Sequence, residues 1–147
     1  MTLINALFAL VALLAMTVGV GIFVKWSQGR PRRAILHEVI EPSRLGAPPL
    51  GERATLLQFS TDMCARCPAV HRTLSDVADS SEGVIHLDID LTHRPDIAKH
   101  FNVLQTPTTL ILDRNGVVQT RFGGAARRDV VELELARVVG HQEPSGV

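Results

Sequence analysis

Two cysteines, Cys64 and Cys67, stand three residues apart with Ala65 and Arg66 between them. Thiols at that spacing can close and reopen a disulfide, the basis of thiol–disulfide exchange: one thiolate attacks, and the other resolves the mixed disulfide. Because only a thiolate attacks, the setting of the pair decides its reactivity. Ala54–Ser60 (ATLLQFS) is an apolar run of strand length. From Cys64 to Ser80 the period changes, and Val70, Leu74, Val77 and Ala78 fall on one helical face. The spacing therefore predicts that the pair lies where a buried strand hands over to a helix. Unpaired backbone N–H groups at a helix start, with the macrodipole, stabilise a thiolate there. Cys64, nearer the start, is expected to be the exposed nucleophile, and Cys67, one turn in, the resolving thiol. The cation of Arg66 is expected to favour the Cys64 thiolate.

The same thiols admit other chemistry. His71 follows Cys67 by four residues on the same face, so Cys64, Cys67 and His71 are three candidate ligands for copper or zinc, with no evident fourth. A structural disulfide, or two inert thiols, is the third reading.

The elements that must position the pair follow from the pattern along the chain. Val84–Asp90 (VIHLDID) alternates apolar and polar as a strand does, and Arg94 to Phe101 is a short helix with Pro95 near its start. Thr108–Asp113 and Val117 to Phe122 are strands separated by Arg114-Asn115-Gly116, where the Asn-Gly pair signals a hairpin because both residues tolerate positive φ. Gly123-Gly124 breaks the second strand, and Arg127 to Val139 closes as a helix with Val131, Leu135 and Val138 on one face. The order strand, helix, strand, helix, strand, strand, helix describes one small α/β domain.

Length and charge narrow the function classes. The chain has 147 residues, enough for one domain with little left over. Its 15 basic and 15 acidic residues cancel, which argues against a nucleic-acid-binding surface. Two cysteines cannot make a multi-disulfide scaffold or a four-thiolate metal site.

The averages hide an asymmetry: the first 24 residues carry no charge. Leu3 to Val24 is apolar but for Asn5 and Thr17, and as a helix it would span about 33 Å, against roughly 30 Å of bilayer core. Lys25, Trp26, Arg30, Arg32 and Arg33 supply an interfacial flank. A cleaved signal peptide would need a basic start, a shorter apolar core and a small-residue cleavage site, and a buried core helix is a further alternative. The expectation is an uncleaved single-pass anchor. Residues 25–53 read as a basic juxtamembrane segment and linker: Ile35 to Ile40 (ILHEVI) is a short strand candidate, and Glu41 to Arg53 is rich in Pro, Gly and charge.

The segments FSTDMCARCPAVHRTLSDVA, VIHLDID and FNVLQTPTTLILDRNGVVQTRFGG occur in that order, and together they resemble the thioredoxin superfamily over almost all of Ala54 to Gly140. The resemblance implies a thioredoxin-like α/β fold, a central mixed sheet flanked by helices, here preceded by one transmembrane helix. Its second motif is Thr106-Pro107, just before TTLILD. The family places a cis proline there beside the active-site disulfide, and the backbone of Thr106 would dock the substrate chain; among peptide bonds only X–Pro is cis at modest cost. The implied partners are protein thiols and disulfides, with no organic cofactor, the membrane through the N-terminal helix, and a membrane redox protein as a candidate.

The sequence departs from the family pattern at several positions. Met63 stands where Trp is usual before the first cysteine, and Ala65-Arg66 replaces Gly-Pro. Gln58 occupies the strand position usually held by a buried Asp, and His86 that of its partner Lys. Gln58 cannot titrate, so proton transfer falls to His86, His71 or water. Gln58, Met63 and Arg66 are therefore tuning positions, while His86, His93 and His100 read otherwise as surface or strand-face residues.

The expected organisation is an anchor over 3–24, the juxtamembrane segment and linker over 25–53, the thioredoxin-like domain over 54–140 and a flexible tail over 141–147. The expected function is a membrane-anchored thiol–disulfide oxidoreductase. Its alternatives are a membrane-tethered copper- or zinc-handling protein and a non-catalytic interaction module. Family analogy would place the domain outside the cell. Basic residues follow the helix and none precedes it, so the positive-inside rule favours the cytoplasm.

Overall fold

Strand and helix periods sort the apolar residues onto two faces of one sheet. The structure is a computed structural model and describes residues 2–27, 29–33 and 39–141. Helix α1 (Thr2–Ser27) takes in the whole apolar run and buries none of it; its length and composition suit a membrane span. Strand β1 (Pro31–Arg33) and the short helix α2 (Pro42–Leu45) come next. The regular part then runs β2 (Ala54–Ser60), α3 (Cys67–Asp79), β3 (Val84–Asp90), α4 (Pro95–His100), β4 (Thr108–Asp113), β5 (Val118–Gly123) and α5 (Arg128–Gly140).

The five strands form a mixed sheet in the order β1-β5-β4-β2-β3. Only β2 and β3 run parallel, across the crossover helix α3; the other neighbours are antiparallel. Successive residues of a strand point to opposite faces. Leu56 and Ile111 accordingly join α3 and α5 in one core with Val70, Leu74, Val131 and Leu135, while Leu57, Phe59, Leu110 and Leu112 pack on the other side with Ile97 and Phe101 of the α4 region. The Phe59 and Phe101 rings stack at 5.6 Å between centroids. Each fully buried Leu or Phe contributes about 1.5–3 kcal/mol relative to exposure, so the two faces together anchor the central strands.

Several local expectations are corrected. The helix expected from Cys64 begins at Cys67, so Cys67 is its first residue and not one turn in. Cys64 lies in the preceding turn: its N–H donates to the Thr61 carbonyl at 3.0 Å, and its own carbonyl accepts from Cys67 N–H at 3.2 Å. Pro68, in the first turn, suits a helix start because no N–H is needed there. At the β4–β5 hairpin only Gly116, and not Asn115, takes positive φ (79°). The Asp113 carboxylate organises that turn, accepting from the N–H groups of Asn115 (2.8 Å) and Val117 (3.0 Å).

The stretch read as linker also contributes to the fold. β1 pairs with β5, and Ile40 and Leu45 are buried in the second core. Composition marked this stretch as linker, yet three edge residues and two apolar contacts suffice to dock it. Of the strand candidate at 35–40, Val39 bridges to Val117 and Ile40 donates to the Gly116 carbonyl, while 35–38 lie outside the described residues. So does 142–147 of the expected tail.

Candidate active site

The carboxyl end of β2 delivers the chain into the turn Thr61–Cys64, and α3 begins three residues later. Cys64 and Cys67 are joined in a disulfide, with their Cα atoms 5.4 Å apart. Their exposures differ. Cys64 is half-buried, whereas Cys67 retains 5% of its surface.

The Thr106–Pro107 bond is cis, as expected, and its loop stands beside this turn. The hydroxyls of Thr61 and Thr106 lie 3.1 Å apart and link the two loops directly. Pro107 is buried, its carbonyl accepts from Gly124 N–H at 2.8 Å, and the Thr108 hydroxyl donates to the Gln105 carbonyl at 2.7 Å. Both motifs are thereby brought to one end of the sheet.

The three positions expected to tune the pair take different places. Met63 is 94% exposed beside Cys64. Arg66 is exposed in the turn and lines a cavity with Val24 and Lys25 of α1. Gln58 is fully buried under the helix start, and its Nε2 donates to the carbonyl of Cys67 at 3.2 Å. It therefore acts on the backbone of the second cysteine.

An open groove of about 720 Å³ runs from the disulfide along α3 and β3, lined by Cys64, Cys67, His71, Asp88 and Ser60 among others. In it, Nδ1 of His71 lies 2.9 Å from one oxygen of Asp88, whose other oxygen accepts from the Ser60 hydroxyl at 2.6 Å. Behind His71, its ring edge-on at 4.7 Å between centroids, stands His86. Nδ1 of His86 lies 2.9 Å from the Ser75 hydroxyl, and its Nε2 has no protein partner. Burial, and secondarily the neighbouring His71, lower the His86 pKa to about 4, although Asp88 pulls it upward. At neutral pH His86 is an uncharged ring. It is more than the strand-face residue expected, because it packs into this network.

Sequence reasoning missed Asp88, Ser60 and Ser75. The signal for Asp88 is the polar phase of VIHLDID, which places His86, Asp88 and Asp90 on alternate positions of one strand; Ser60 and Ser75 carry no such signal. The metal alternative gains no donor set: among the described residues no group of three or more His, Cys, Asp or Glu side chains could hold an ion.

The Thioredoxin family model matches residues 50–137. Thioredoxin H2 of Arabidopsis thaliana is 26% identical over 83 residues, covering 56% of this chain and 61% of that protein, so the match spans less than two thirds of the relative's length. Among solved structures, thioredoxin f from spinach chloroplast superposes with a TM-score of 0.52 at 26% identity, over 60% of this chain and 78% of the other. A mutant thioredoxin from Halobacterium salinarum gives 0.53 at 17% identity, over 60% and 76%, a likeness of fold.

Proposed function

Since the chain belongs to the thioredoxin family, we propose that it is a membrane-anchored thiol–disulfide oxidoreductase working through Cys64 and Cys67. The observation that carries this reading is the unequal burial of a bonded cysteine pair set at a strand–helix junction. In the reducing direction, the Cys64 thiolate attacks a client disulfide, forms the mixed disulfide and releases one client thiolate. The Cys67 thiolate then attacks the sulfur of Cys64, which closes the internal disulfide and releases the second client thiol. Two electrons pass from the dithiol to the client, and the couple itself carries them, so the scheme calls for no organic cofactor. Oxidation of a client dithiol is the same sequence reversed.

In this reading Thr106 and Pro107 dock the client chain, while Arg66, Gln58 and Met63 tune the couple. Helix α1 supports the anchor: it is 26 residues long, apolar, and followed by basic residues. The corresponding division is an anchor over 3–24, a juxtamembrane segment over 25–53, a redox domain over 54–140 and a tail beyond. The basic flank supports a cytoplasm-facing domain in a single-pass protein. Protein thiols and disulfides are the clients, and a membrane redox protein is a candidate among them.

The test is trapping. Cys67→Ser is expected to accumulate mixed disulfides with a disulfide client such as insulin, and Cys64→Ser is expected to accumulate none. Equal trapping by the two variants overturns the assignment of roles.

A further inference from the structure

The point at which α1 joins the sheet determines which way the disulfide faces. β2 runs toward the cysteines and β4 runs away from them, so Thr108 marks the active-site end of the sheet. β5 is antiparallel to β4 and returns to that end at Gly123, opposite Thr108. β1 is antiparallel to β5 with Pro31 opposite Phe122, so the chain coming from α1 enters the sheet at this same end.

Two consecutive residues tie the junction together. The Gly123 carbonyl accepts from Gly29 N–H at 2.9 Å, just after α1, and Gly124 N–H donates to the Pro107 carbonyl at 2.8 Å. Gly29 takes positive φ, and a Cβ there would strike the Ala125 carbonyl oxygen. Only one residue separates Ser27, the last of α1, from Gly29, so the tether is short and its sheet end is held.

The height of the site follows from the same junction. Arg66, between the cysteines, lines a cavity with Gly21, Val24 and Lys25, in the last two turns of α1. That is where the apolar run ends and Lys25 and Trp26 begin, the residue types that settle at the lipid headgroups. The two most exposed large apolar side chains described outside α1, Met63 (94%) and Leu104 (86%), flank the cysteine turn and precede the cis-proline loop.

Resting on the reading above, we infer that the Cys64–Cys67 couple is held at the headgroup layer with its docking rim turned to the bilayer, and that its partner is an integral membrane protein presenting a disulfide or dithiol at that depth. A partner in bulk solution would be served equally well by a free tether, whereas a fixed short one concentrates the couple at a single depth.

The test compares the full chain in phosphatidylcholine vesicles with a variant carrying a twenty-residue Gly/Ser insertion between Ser27 and Gly29. Such a coil has a root-mean-square span of about 25 Å and frees the domain from the surface. The probe is phosphatidylethanolamine bearing a pyridyl disulfide on its headgroup, and insulin reduction is the solution control. The insertion is expected to slow reaction with the lipid probe roughly fivefold or more through lost effective concentration, with insulin reduction no slower than in the unmodified chain. Equal rates of the two chains on the lipid probe overturn the inference. If neither chain reduces insulin, the thiol–disulfide reading fails, and this inference with it.

A second measurement reads placement without chemistry. In a Trp26→Phe background, Leu104→Trp is expected to be quenched more strongly by headgroup-nitroxide lipids than Asn115→Trp, at the hairpin on the opposite end of the sheet. Equal or reversed quenching overturns the placement.

Discussion

Gln58 and Thr109 stand directly opposite each other on β2 and β4, both fully buried, and each leaves one side-chain oxygen without a protein hydrogen-bond partner. Gln58 spends its amide nitrogen on the Cys67 carbonyl, so its Oε1 and the Thr109 hydroxyl remain as buried polar atoms on two neighbouring strands. A buried unsatisfied group carries a desolvation cost of about 1–3 kcal/mol, and a methyl of the same shape carries none. Thr109→Val is therefore expected to stabilise the domain by about 1 kcal/mol in urea denaturation. A loss of that size would instead identify a buried water satisfying the hydroxyl.

The neutral ring of His86 makes stability depend on pH. Its pKa falls from 6.5 to about 4 in the folded chain, chiefly through burial and then through His71. Between those values the unfolded chain binds a proton that the folded chain refuses, so the contribution is fully present above pH 6.5 and is lost as pH falls toward 4. The ring is half-exposed, and solvent trims the effect. His86→Gln is expected to flatten the decline in melting temperature between pH 7 and pH 4.5. A decline as steep as that of the unmodified chain would assign the acid sensitivity to other groups.

Glu134 is buried beneath the sheet and depends on its neighbours for compensation. Its Oε2 accepts from Arg137 Nη2 at 2.8 Å and from the Thr120 hydroxyl at 3.0 Å, and the same Arg137 nitrogen donates to that hydroxyl at 3.1 Å. Removing one partner of a buried ion pair leaves a charge uncompensated, which costs more than deleting both. Arg137→Ala is expected to destabilise by about 2–3 kcal/mol, below the fully buried range because the arginine keeps some exposure. Adding Glu134→Leu should recover part of that loss. A double-mutant cycle with no coupling would show the two side chains to be independent.

Two glycines at the same junction are expected to respond differently to alanine. At Gly29 the obstacle to a Cβ is the backbone of Ala125 and φ is positive, so Gly29→Ala is expected to strain the junction by about 1–3 kcal/mol and to loosen β1. At Gly123 the nearest atom to a Cβ is the Nε2 of Gln105, 2.6 Å away at the far end of an exposed, flexible side chain. Gly123→Ala is expected to change stability by less than about 1 kcal/mol. Faster trypsin cleavage after Arg32 in the first variant and not in the second is the measurement; identical digestion would mean that Gly29 does not secure the junction.

These sites show where sequence reading succeeds and where it stops. The apolar run ATLLQFS, the alternation in VIHLDID and the helical spacing of Val70, Leu74 and Val77 report burial, so the central strands, α3 and the two chemical motifs were legible. β1 was not, because a three-residue edge strand beginning with proline has no period to read and exists only through its pairing with β5. The start of α3 was displaced because apolar spacing locates a helix face and not its first turn, which Pro68 and the Cys64 carbonyl settle. The His71–Asp88–Ser60 network was hidden for another reason: Ser60 and Asp88, 28 positions apart, meet only through the β2–β3 pairing, and His71, 17 positions before Asp88, reaches it only because α3 packs on β3.

The sheet order leaves β1 and β3 as its two borders, and each is unsuited to recruiting a neighbour. An unpaired strand edge is a template on which another chain can polymerise. β3 ends in LDID with Asp88 and Asp90 at the surface, so two copies zipping along this border would bring carboxylates together. β1 offers three residues, begins with a proline that has no N–H to donate, and exposes Arg32. Crowded copies therefore meet like charge on either matching border, and the fold resists self-templated aggregation even when confined to a small area.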